Sequence, residues 1–261
     1  MGLRCSLTNY GLLARFTALP ILLASVSFHA FGADICAPTD IHGPYGFQLA
    51  GTTTISGSET PIAAVGRLVF DGKSSISGVS SVNFNGLFLG NPTTGTYEIQ
   101  TDCTITLNLQ DTSGAFQHFS GKAAPGGNRV VIQQSDPGTG ERGLMVRSAD
   151  GCNAAGFRGQ YSFSVSASAT PLATEGSKGS GSAKALVLAD GNGNLTVTHG
   201  NAKTSGTYTV DSDCFVQLDF GLADGDSSTL MKLRGMLVNG GKEMLAIETD
   251  PGQVAAVRFS Q

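Results

Sequence analysis

The sequence predicts an all-β protein made of two tandem, homologous, antiparallel eight-stranded barrels, and three observations support this. Glycine supplies 36 of the 261 residues, while charged residues make up only 14%; this glycine share is about twice the ordinary one. Apolar residues alternate with small or polar ones in short runs, which is the pattern of half-buried strands. The second half of the chain repeats the order of motifs in the first. Two-sheet β-sandwiches are the alternative architecture.

The first 32 residues have the features of a signal peptide. Arg4 and Arg15 precede an apolar stretch over residues 16–28. Ala30 and Gly32 then offer the small residues that a signal peptidase requires, so we predict cleavage after Gly32. The apolar stretch is shorter than the about 20 residues of a membrane span. The sequence therefore predicts a secreted or periplasmic protein with no membrane span after processing.

Two homologous repeats follow the signal peptide. Cys36 aligns with Cys152, and later motifs match in the same order at offsets between 111 and 119 residues. A repeat of this length is a domain and not a solenoid unit. We therefore predict a signal peptide over residues 1–32, a first barrel over 33–150 and a second barrel over 151–261. The matched turns include Asp71-Gly72 with Asp190-Gly191, and Asp136-Pro137-Gly138 with Asp250-Pro251-Gly252.

Eight strands are predicted in each repeat, separated by turn-forming pairs such as Asn85-Gly86. Closing an up-and-down meander of short strands into a barrel removes the exposed sheet edges, which favours a barrel over a sandwich. No segment after residue 32 has the apolar stripe and caps of a helix. The strands of the first repeat are predicted at residues 43–54, 63–70, 74–84, 95–100, 103–110, 115–124, 129–134 and 143–148, with eight at corresponding places in the second.

Each repeat contains two cysteines, and export predicts that they form disulfides. Four cysteines can be paired in three ways. Pairing within each repeat, the simplest arrangement, joins Cys36 to Cys103 and Cys152 to Cys214. Metal ligation is the alternative, but the cysteines are far apart and no histidine keeps ligand spacing to them. We therefore predict structural disulfides and no metal site.

The charge of the chain bears on its partners. The net charge is −4, and removal of Arg4 and Arg15 with the signal peptide leaves 14 basic against 20 acidic residues, a net charge of −6. A negative chain with no run of Lys and Arg is repelled by phosphate backbones. The sequence therefore predicts that nucleic acid is not a partner.

One motif occurs once in each repeat and indicates a family. The segments are Gly95-Thr-Tyr97-Glu-Ile99-Gln-Thr-Asp102-Cys103 and Gly206-Thr-Tyr208-Thr-Val210-Asp-Ser-Asp213-Cys214. In this motif the chain resembles a broad group of exported bacterial proteins of unassigned function. Such proteins are similar to calycin-type or allene-oxide-cyclase-type barrels. The resemblance implies a barrel with a capacity for ligand binding, and it transfers no catalytic residue.

Aromatic residues in the matched strands are the candidates for a ligand site. A barrel of eight strands is just wide enough to be filled by side chains or to hold one small ligand. Aromatic side chains that face inward would form the walls of an apolar pocket. The predicted ligand-binding residues are Tyr45, Phe47, Tyr97, Tyr161, Phe163 and Tyr208.

Catalytic residues are not evident. The histidines after residue 32 are His42, His118 and His199, and none aligns with a histidine of the other repeat. The shared aspartates lie beside glycine, proline or cysteine, where an aspartate normally caps a turn. We therefore predict an exported non-enzymatic protein without cofactors, which binds a small apolar ligand or acts as an interaction module of the envelope or the extracellular space. The alternative is an isomerase or cyclase acting on a hydrophobic substrate inside one barrel.

Overall fold

The computed structural model describes residues 36–55, 57–84, 87–167, 185–224 and 227–261, and these form two closed antiparallel barrels. The described part of the chain contains four single-turn 3-10 helices and no α-helix. The predicted signal peptide over residues 1–32, its cleavage after Gly32 and the predicted Asn85-Gly86 turn lie outside the described residues.

The first barrel is an up-and-down meander in which each strand pairs with the next one along the chain. Strand β1 closes the barrel because it pairs with both β2 and β8. All eight strands lie before residue 150, where the boundary between the repeats is predicted. The strands are β1 (His42–Ile55), β2 (Ser58–Asp71), β3 (Ser75–Phe84), β4 (Leu87–Ile99), β5 (Thr104–Asp111), β6 (Phe116–Ala123), β7 (Arg129–Gln134) and β8 (Arg142–Arg147).

The second barrel repeats this topology, with β9 closing it against β10 and β16. The prediction of two tandem eight-stranded antiparallel barrels is therefore confirmed, and the sandwich alternative is wrong. The strands are β9 (Arg158–Ala167), β10 (Ala185–Asp190), β11 (Asn194–His199), β12 (Ala202–Val210), β13 (Phe215–Asp224), β14 (Ser227–Val238), β15 (Glu243–Glu248) and β16 (Ala255–Ser260).

Two strands extend well beyond their predicted limits. Strand β2 begins at Ser58 instead of residue 63, and β4 begins at Leu87 instead of residue 95. The added segments pair through their backbones down to the hairpin ends, as in the pair Ile55 with Ser58. Their side chains are mostly exposed, so they lack the apolar alternation that sequence analysis detects.

The interior of each barrel is built from alternate residues of every strand. In β1, Tyr45, Phe47 and Leu49 are buried, and the opposite β2 position to Phe47 is Gly66. A Cβ atom at Gly66 would lie 2.4 Å from Cε1 of the Phe47 ring, so glycine there leaves space for the aromatic side chain. The barrel is therefore filled with large side chains, at native packing density.

Both predicted disulfides, Cys36–Cys103 and Cys152–Cys214, are present. Each joins the segment that enters a barrel to the turn before its fifth strand. Cys103 and Cys214 both have a φ of 69°, a left-handed conformation that costs energy for a residue with a side chain. The two sequence separations, 67 and 62 residues, correspond to about 4 kcal/mol of stabilisation each in the chain-entropy model.

The barrels pack side by side through an apolar interface. The outer face of β1, β2 and β8 contacts the outer face of β14, β15 and β16. Gln48, which is 3% exposed, crosses the interface and donates from Nε2 to the backbone oxygens of Ala246 at 2.5 Å and Val257 at 2.8 Å. The first-barrel residues in the core cluster of the second are Ala50, Ala63, Val65, Leu144 and Val146.

Candidate functional site

The predicted ligand-binding residues of the first barrel lie together in its core. Tyr45, Phe47 and Tyr97 are each at most 4% exposed. The Phe70 ring packs edge-on between the two tyrosines, with centroids 5.2 Å from Tyr45 and 5.0 Å from Tyr97. The Tyr45 hydroxyl donates to the backbone oxygen of Gly127 at 2.7 Å. The rings of Tyr45, Phe70 and Tyr97 therefore pack against one another in the core of the first barrel.

The second barrel repeats this arrangement. Tyr161, Phe163 and Tyr208 are equally buried, and Phe157 packs against both tyrosine rings. The Tyr161 hydroxyl donates to the backbone oxygen of Gly241 at 2.7 Å, which is the bond equivalent to that of Tyr45. The Tyr208 hydroxyl donates to the backbone oxygen of Phe157 at 2.8 Å, and Tyr97 makes the equivalent bond in the first barrel.

These tyrosine hydroxyls are structural donors. Burial raises the pKa of Tyr45 and the pKa of Tyr97 to about 12 each, because an ionised phenol would lose its hydration. Each hydroxyl therefore keeps its proton and its bond to a backbone oxygen, which fixes the 3-10 turns against one end of each barrel. The role of these six residues in ligand binding stays a prediction.

A small cavity lies inside the first barrel near the end opposite these bonds. Its volume is about 30 Å³, which is room for one or two water molecules. Phe47 is the predicted ligand residue that lines it, and Glu141 lies among the cavity's other lining groups. A site for an organic ligand normally needs about 300 to 1,000 Å³.

Glu141 is the functional candidate that sequence analysis missed. It is 3% exposed, and among the described residues no group donates a hydrogen bond to its carboxylate. Burial, and then the charge of Asp136, raise the pKa of Glu141 to about 7. The alternation that places Met145 inside the barrel also places Glu141 inside, and this pattern was the signal available in the sequence.

The second barrel holds its buried carboxyl group at a different position. Glu248 on β15 is 8% exposed, and burial followed by the charge of Asp250 raises its pKa. With Asp136 aligned on Asp250, Glu248 aligns with Gln134 and Glu141 aligns with Ala255. Comparison of the two repeats therefore could not reveal either carboxyl group, because neither is shared.

Asp71 and Asp190 cap turns, as predicted, whereas the turn at Asp213 is capped by Asp211, which accepts from the N–H groups of Asp213 and Phe215. Asp71 accepts from the backbone N–H groups of Lys73, Ser74 and Ser75 at 2.8 to 2.9 Å. These bonds lower the pKa of Asp71, with the Ser75 bond contributing most. Asp190 makes equivalent bonds in the β10–β11 turn. These carboxylates are occupied by their own hairpins.

The histidines do not come together. The Nδ1 atom of His118 lies 2.6 Å from Oδ1 of Asp136 at the surface of the first barrel. His42 contacts the backbone oxygen of Thr39, and His199 contacts that of Ala223 in the second barrel. Within the described ranges, no group of three His, Cys, Asp or Glu side chains could hold a metal ion.

A cleft of about 490 Å³ lies outside the barrels. Its floor is the outer face of β12, β13 and β14 in the second barrel. Phe88, at the start of β4 in the first barrel, forms the opposite wall. Asn83 lies on the same hairpin as Phe88. Its Nδ2 donates to the backbone oxygens of Glu248 at 2.6 Å and Gln253 at 2.7 Å, and these bonds hold the hairpin over the second barrel. We call this space the inter-barrel cleft.

Arg234 is the best-positioned charged group of the inter-barrel cleft. Its Cζ atom lies 4.3 Å from the centroid of the Phe215 ring, and its Nε donates to Oγ of Ser81 at 2.8 Å. Burial lowers the pKa of Arg234, and the charge of Asp211 opposes that shift. Lys232 and Asp219 also line the cleft, at directly opposed positions of β14 and β13.

A second groove, of about 440 Å³, lies on the outer surface of the first barrel. Lys122, Val131, Gln133 and Arg142 line it, on strands β6 to β8. Lys122 lies 3.4 Å from the carboxylate of Asp102, so its charge is partly neutralised. This groove, like the inter-barrel cleft, lies on an outer barrel surface.

The fold and these surfaces define a tandem pair of filled eight-stranded barrels. No protein-family model matches the chain, and no curated protein matches it. The resemblance to calycin-type and allene-oxide-cyclase-type barrels therefore stays a prediction, while the tandem barrels themselves are observed. No helix in the described ranges is long and apolar enough to cross a membrane.

Two solved structures are similar to this chain, and both are transferrin binding protein B. For the protein from Haemophilus parasuis Hp5, the TM-score is 0.30 and the identity 9%, over 84% of this chain and 75% of that one. For the isotype 1 protein from serogroup B Neisseria meningitidis, the TM-score is 0.28 and the identity 7%, over 85% and 76%. Likeness at this level carries no functional argument.

Proposed function

We propose that the protein is an exported, non-enzymatic binding module that engages its partner through the outer surfaces of its barrels. The observation that supports this most is the contrast between interior and exterior. Aromatic side chains fill the interiors and satisfy their own polar groups, whereas spaces of about 490 and 440 Å³ lie outside. The exterior spaces fall within the about 300 to 1,000 Å³ usual for ligand sites.

Export is part of this proposal. Two disulfides, Cys36–Cys103 and Cys152–Cys214, persist in the periplasm or outside the cell, where thiols are oxidised. A signal peptide over residues 1–32, removed after Gly32, would direct the chain there. The two barrels, over residues 33–150 and 151–261, would then form the mature binding module.

Native mass spectrometry tests the choice between exterior and interior. The mature protein is purified from its own host without detergent and measured before and after unfolding, with and without reductant. We expect the mass of the chain from residue 33 with two disulfides and no retained small molecule. A stoichiometric apolar compound that only unfolding releases would contradict the proposal and would direct attention to Tyr45, Phe47, Tyr161 and Phe163.

One observation favours a second function, an isomerase or cyclase acting inside the first barrel. Glu141 has a pKa near neutrality and lies in a cavity, which suits a general acid or base. The cavity volume of about 30 Å³ argues against it, because a hydrophobic substrate would have to displace core side chains. Turnover of any compound in a panel of unsaturated fatty acid epoxides and terpenoids, lost in Glu141→Gln, would establish this second function.

A further inference from the structure

The side chains of the inter-barrel cleft indicate what kind of partner it binds. We infer that the cleft binds an acidic, apolar peptide segment of a partner protein, with a carboxylate on Arg234 and an apolar side chain against Phe88. This inference rests on the proposed function, because it assumes that the exterior of the barrels is the binding surface.

Arg234 is held ready for a carboxylate. The Phe215 ring and the bond from Nε to Ser81 fix the plane of the guanidinium group. Among the described residues, its two terminal nitrogens have no hydrogen-bond acceptor and no carboxylate forms an ion pair with it. A stacked, partly desolvated guanidinium group binds a planar carboxylate with two parallel hydrogen bonds, and its fixed plane lowers the entropic cost.

The other charges near the cleft offset the charge of Arg234 only in part. Lys232 and Asp219 lie directly opposite each other on neighbouring strands, so their charges offset. Asp211 influences Arg234 through its charge and makes no ion pair with it. The cleft therefore carries one net positive charge, located at its most buried cation, which suits a single carboxylate better than a polyanion.

Exposed apolar side chains border this charge. Phe88 is 38% exposed, and because side chains alternate between the two faces of a strand, those of Leu87 and Leu89 lie on the other face of β4 and do not line the cleft. Leu230, 56% exposed, lies one outward position beyond Lys232 on β14. Exposed apolar side chains clustered beside a cation are typical of protein interaction sites. The threonine and glutamine side chains of the floor, Thr207, Thr209, Gln217 and Thr249, supply further hydrogen-bonding groups.

These features favour a peptide over an acidic polysaccharide. A uronic acid polymer would bring a row of carboxylates past Asp219, and its hydroxylated surface would leave Phe88 and Leu230 uncovered. A peptide in which an Asp or Glu is flanked by aromatic or aliphatic residues covers Phe88 and presents one carboxylate. The protein partner that the sequence leaves unidentified is therefore expected to carry such a segment on its surface.

The test uses a phage-displayed library of random heptapeptides. The library is selected on the mature, oxidised protein and depleted on the Arg234→Gln variant. We expect enriched peptides that contain Asp or Glu next to aromatic or aliphatic residues. As synthetic peptides, they should lose at least tenfold in affinity when their acid is changed to the amide, and at least tenfold on the Arg234→Gln protein.

Two further variants keep this test independent of folding. Phe88→Ser removes the exposed wall without touching the core, and it should weaken the same peptides about tenfold. Arg158→Gln removes an exposed arginine that lines neither the cleft nor the other groove, and it should leave their affinity unchanged. Unfolding of each variant by urea, compared with that of the unaltered protein, confirms that binding is measured on folded chains.

Each other outcome overturns the inference. If the peptides bound equally well as acid and as amide, the proposed carboxylate site would be wrong. The same conclusion would follow if they bound to Arg234→Gln and Phe88→Ser as tightly as to the unaltered protein. If their binding were lost instead in Arg142→Gln, a change in the other groove, the proposed exterior function would stand with a different site. If no peptide were enriched and the protein bound oligogalacturonate, the ligand of the cleft would be an acidic glycan and not a peptide. An apolar compound retained inside a barrel would overturn the proposed function itself.

Discussion

The outer face of β1 in the first repeat and the equivalent face of β9 in the second have the same backbone and different surroundings. Gly46, Gln48 and Ala50 face the second barrel, whereas the aligned residues of β9 are Ser162, Ser164 and Ser166. A Cβ atom at Gly46 would lie 2.5 Å from Cγ1 of Val238, so serine at this position would disrupt the interface. The covered face of β1 therefore carries small residues and one amide side chain, whereas the equivalent face of β9 carries serines.

The opposite faces of the two barrels differ in the same way. Met236, Ile247 and Ala256 are buried against the first barrel, and the aligned residues are the exposed Lys122, Gln133 and Arg142. The contact between the repeats thus joins two different faces, head to tail. A head-to-tail interface of this kind can repeat and form a filament, unless the two remaining outer faces do not bind a further copy. Charged and polar residues on both remaining faces disfavour the addition of a further barrel there.

The largest expected effect is at Glu243, which forms one ion pair across this interface and one within the second barrel. Glu243 contacts Arg129 of the first barrel at 2.5 Å and Arg258 at 2.7 Å. Although burial raises the pKa of Glu243, the hydrogen bonds from both arginines outweigh it and hold the pKa below its usual range. Glu243→Gln leaves two partly buried cations without a carboxylate, so we expect a loss of about 3 kcal/mol in unfolding free energy at pH 7, the lower end of the range for buried pairs.

The lowered pKa of Glu243 also determines how this loss of stability depends on pH. A lowered folded-state pKa means that the stabilisation is complete above the unfolded value of 4.5 and is lost as the pH falls. The difference between variant and unaltered protein should therefore shrink in urea unfolding below pH 4. Glu98→Gln, at an exposed position of β4, is the matched control and should show no such difference.

The next effect compares the buried carboxyl groups of the two barrels. The pKa of Glu141 rises from 4.5 to about 7 in the folded state, so its stabilisation is complete below pH 4.5 and is lost as the pH rises through 7. A rise of this size corresponds to about 3 kcal/mol. Glu141→Gln should therefore be more stable than the unaltered protein by up to about 3 kcal/mol at pH 8, and equal to it at pH 4.

Urea unfolding at pH 4, 6 and 8 measures this effect. Glu248→Gln installs in the second barrel the residue that the first has at the aligned position, and it should give a smaller gain of the same sign. A Glu141→Gln variant that is less stable at every pH would contradict the account, because it would assign the ionised carboxylate a structural partner.

A smaller effect on stability is expected when residues are exchanged between the outer face of β1 and the equivalent face of β9. Gln48→Ser removes both bonds to the backbone oxygens of Ala246 and Val257 and leaves a cavity in the interface. We expect a loss of about 2 to 3 kcal/mol in thermal or urea unfolding. The reciprocal change Ser164→Gln, on the face without a partner barrel, should change stability by less than about 0.5 kcal/mol. Equal losses for the two would refute the difference between the faces.

The smallest effect on stability accompanies a change in assembly. The triple variant Lys122→Met, Gln133→Ile and Arg142→Ala gives the first barrel the apolar residues of the second. Because these positions are exposed, we expect stability to change by less than about 1 kcal/mol. Light scattering after size-exclusion chromatography should show concentration-dependent association beyond that of the unaltered protein. Unchanged mass at all concentrations would show that the polar face does not limit assembly.

The two barrels could be predicted from the sequence because their strands are encoded by short local patterns. Alternation in runs such as Tyr45, Phe47 and Leu49 defines strands, and the repeat pairs Cys36 with Cys103. The interface was beyond reach, because an outward Gln48 in the first repeat and an outward Ser164 in the second follow the same pattern. Only the three-dimensional packing shows which of two similar outer faces is covered.

The functional residues were harder to predict for a related reason. Arg234 lies on an outward position of β14, where an arginine is ordinarily a solvated surface residue. It stacks on Phe215 within the second barrel, and its bond to Ser81 forms because β3 of the first barrel lies over the second barrel. The aromatic residues predicted from the repeat, such as Tyr161, are shared by both barrels because both need the same core contacts.

The central claim is that ligands bind to the exterior of filled barrels, at the inter-barrel cleft. The most direct test is two-dimensional NMR of the ¹⁵N-labelled mature protein, titrated separately with selected acidic peptides and with small apolar compounds. The account predicts that the peptides shift the amide signals of Phe88 and residues 207–209, 217–219 and 232–234, and that the apolar compounds shift none. Shifts concentrated at residues 45–49 and 161–163, inside the barrels, would contradict it.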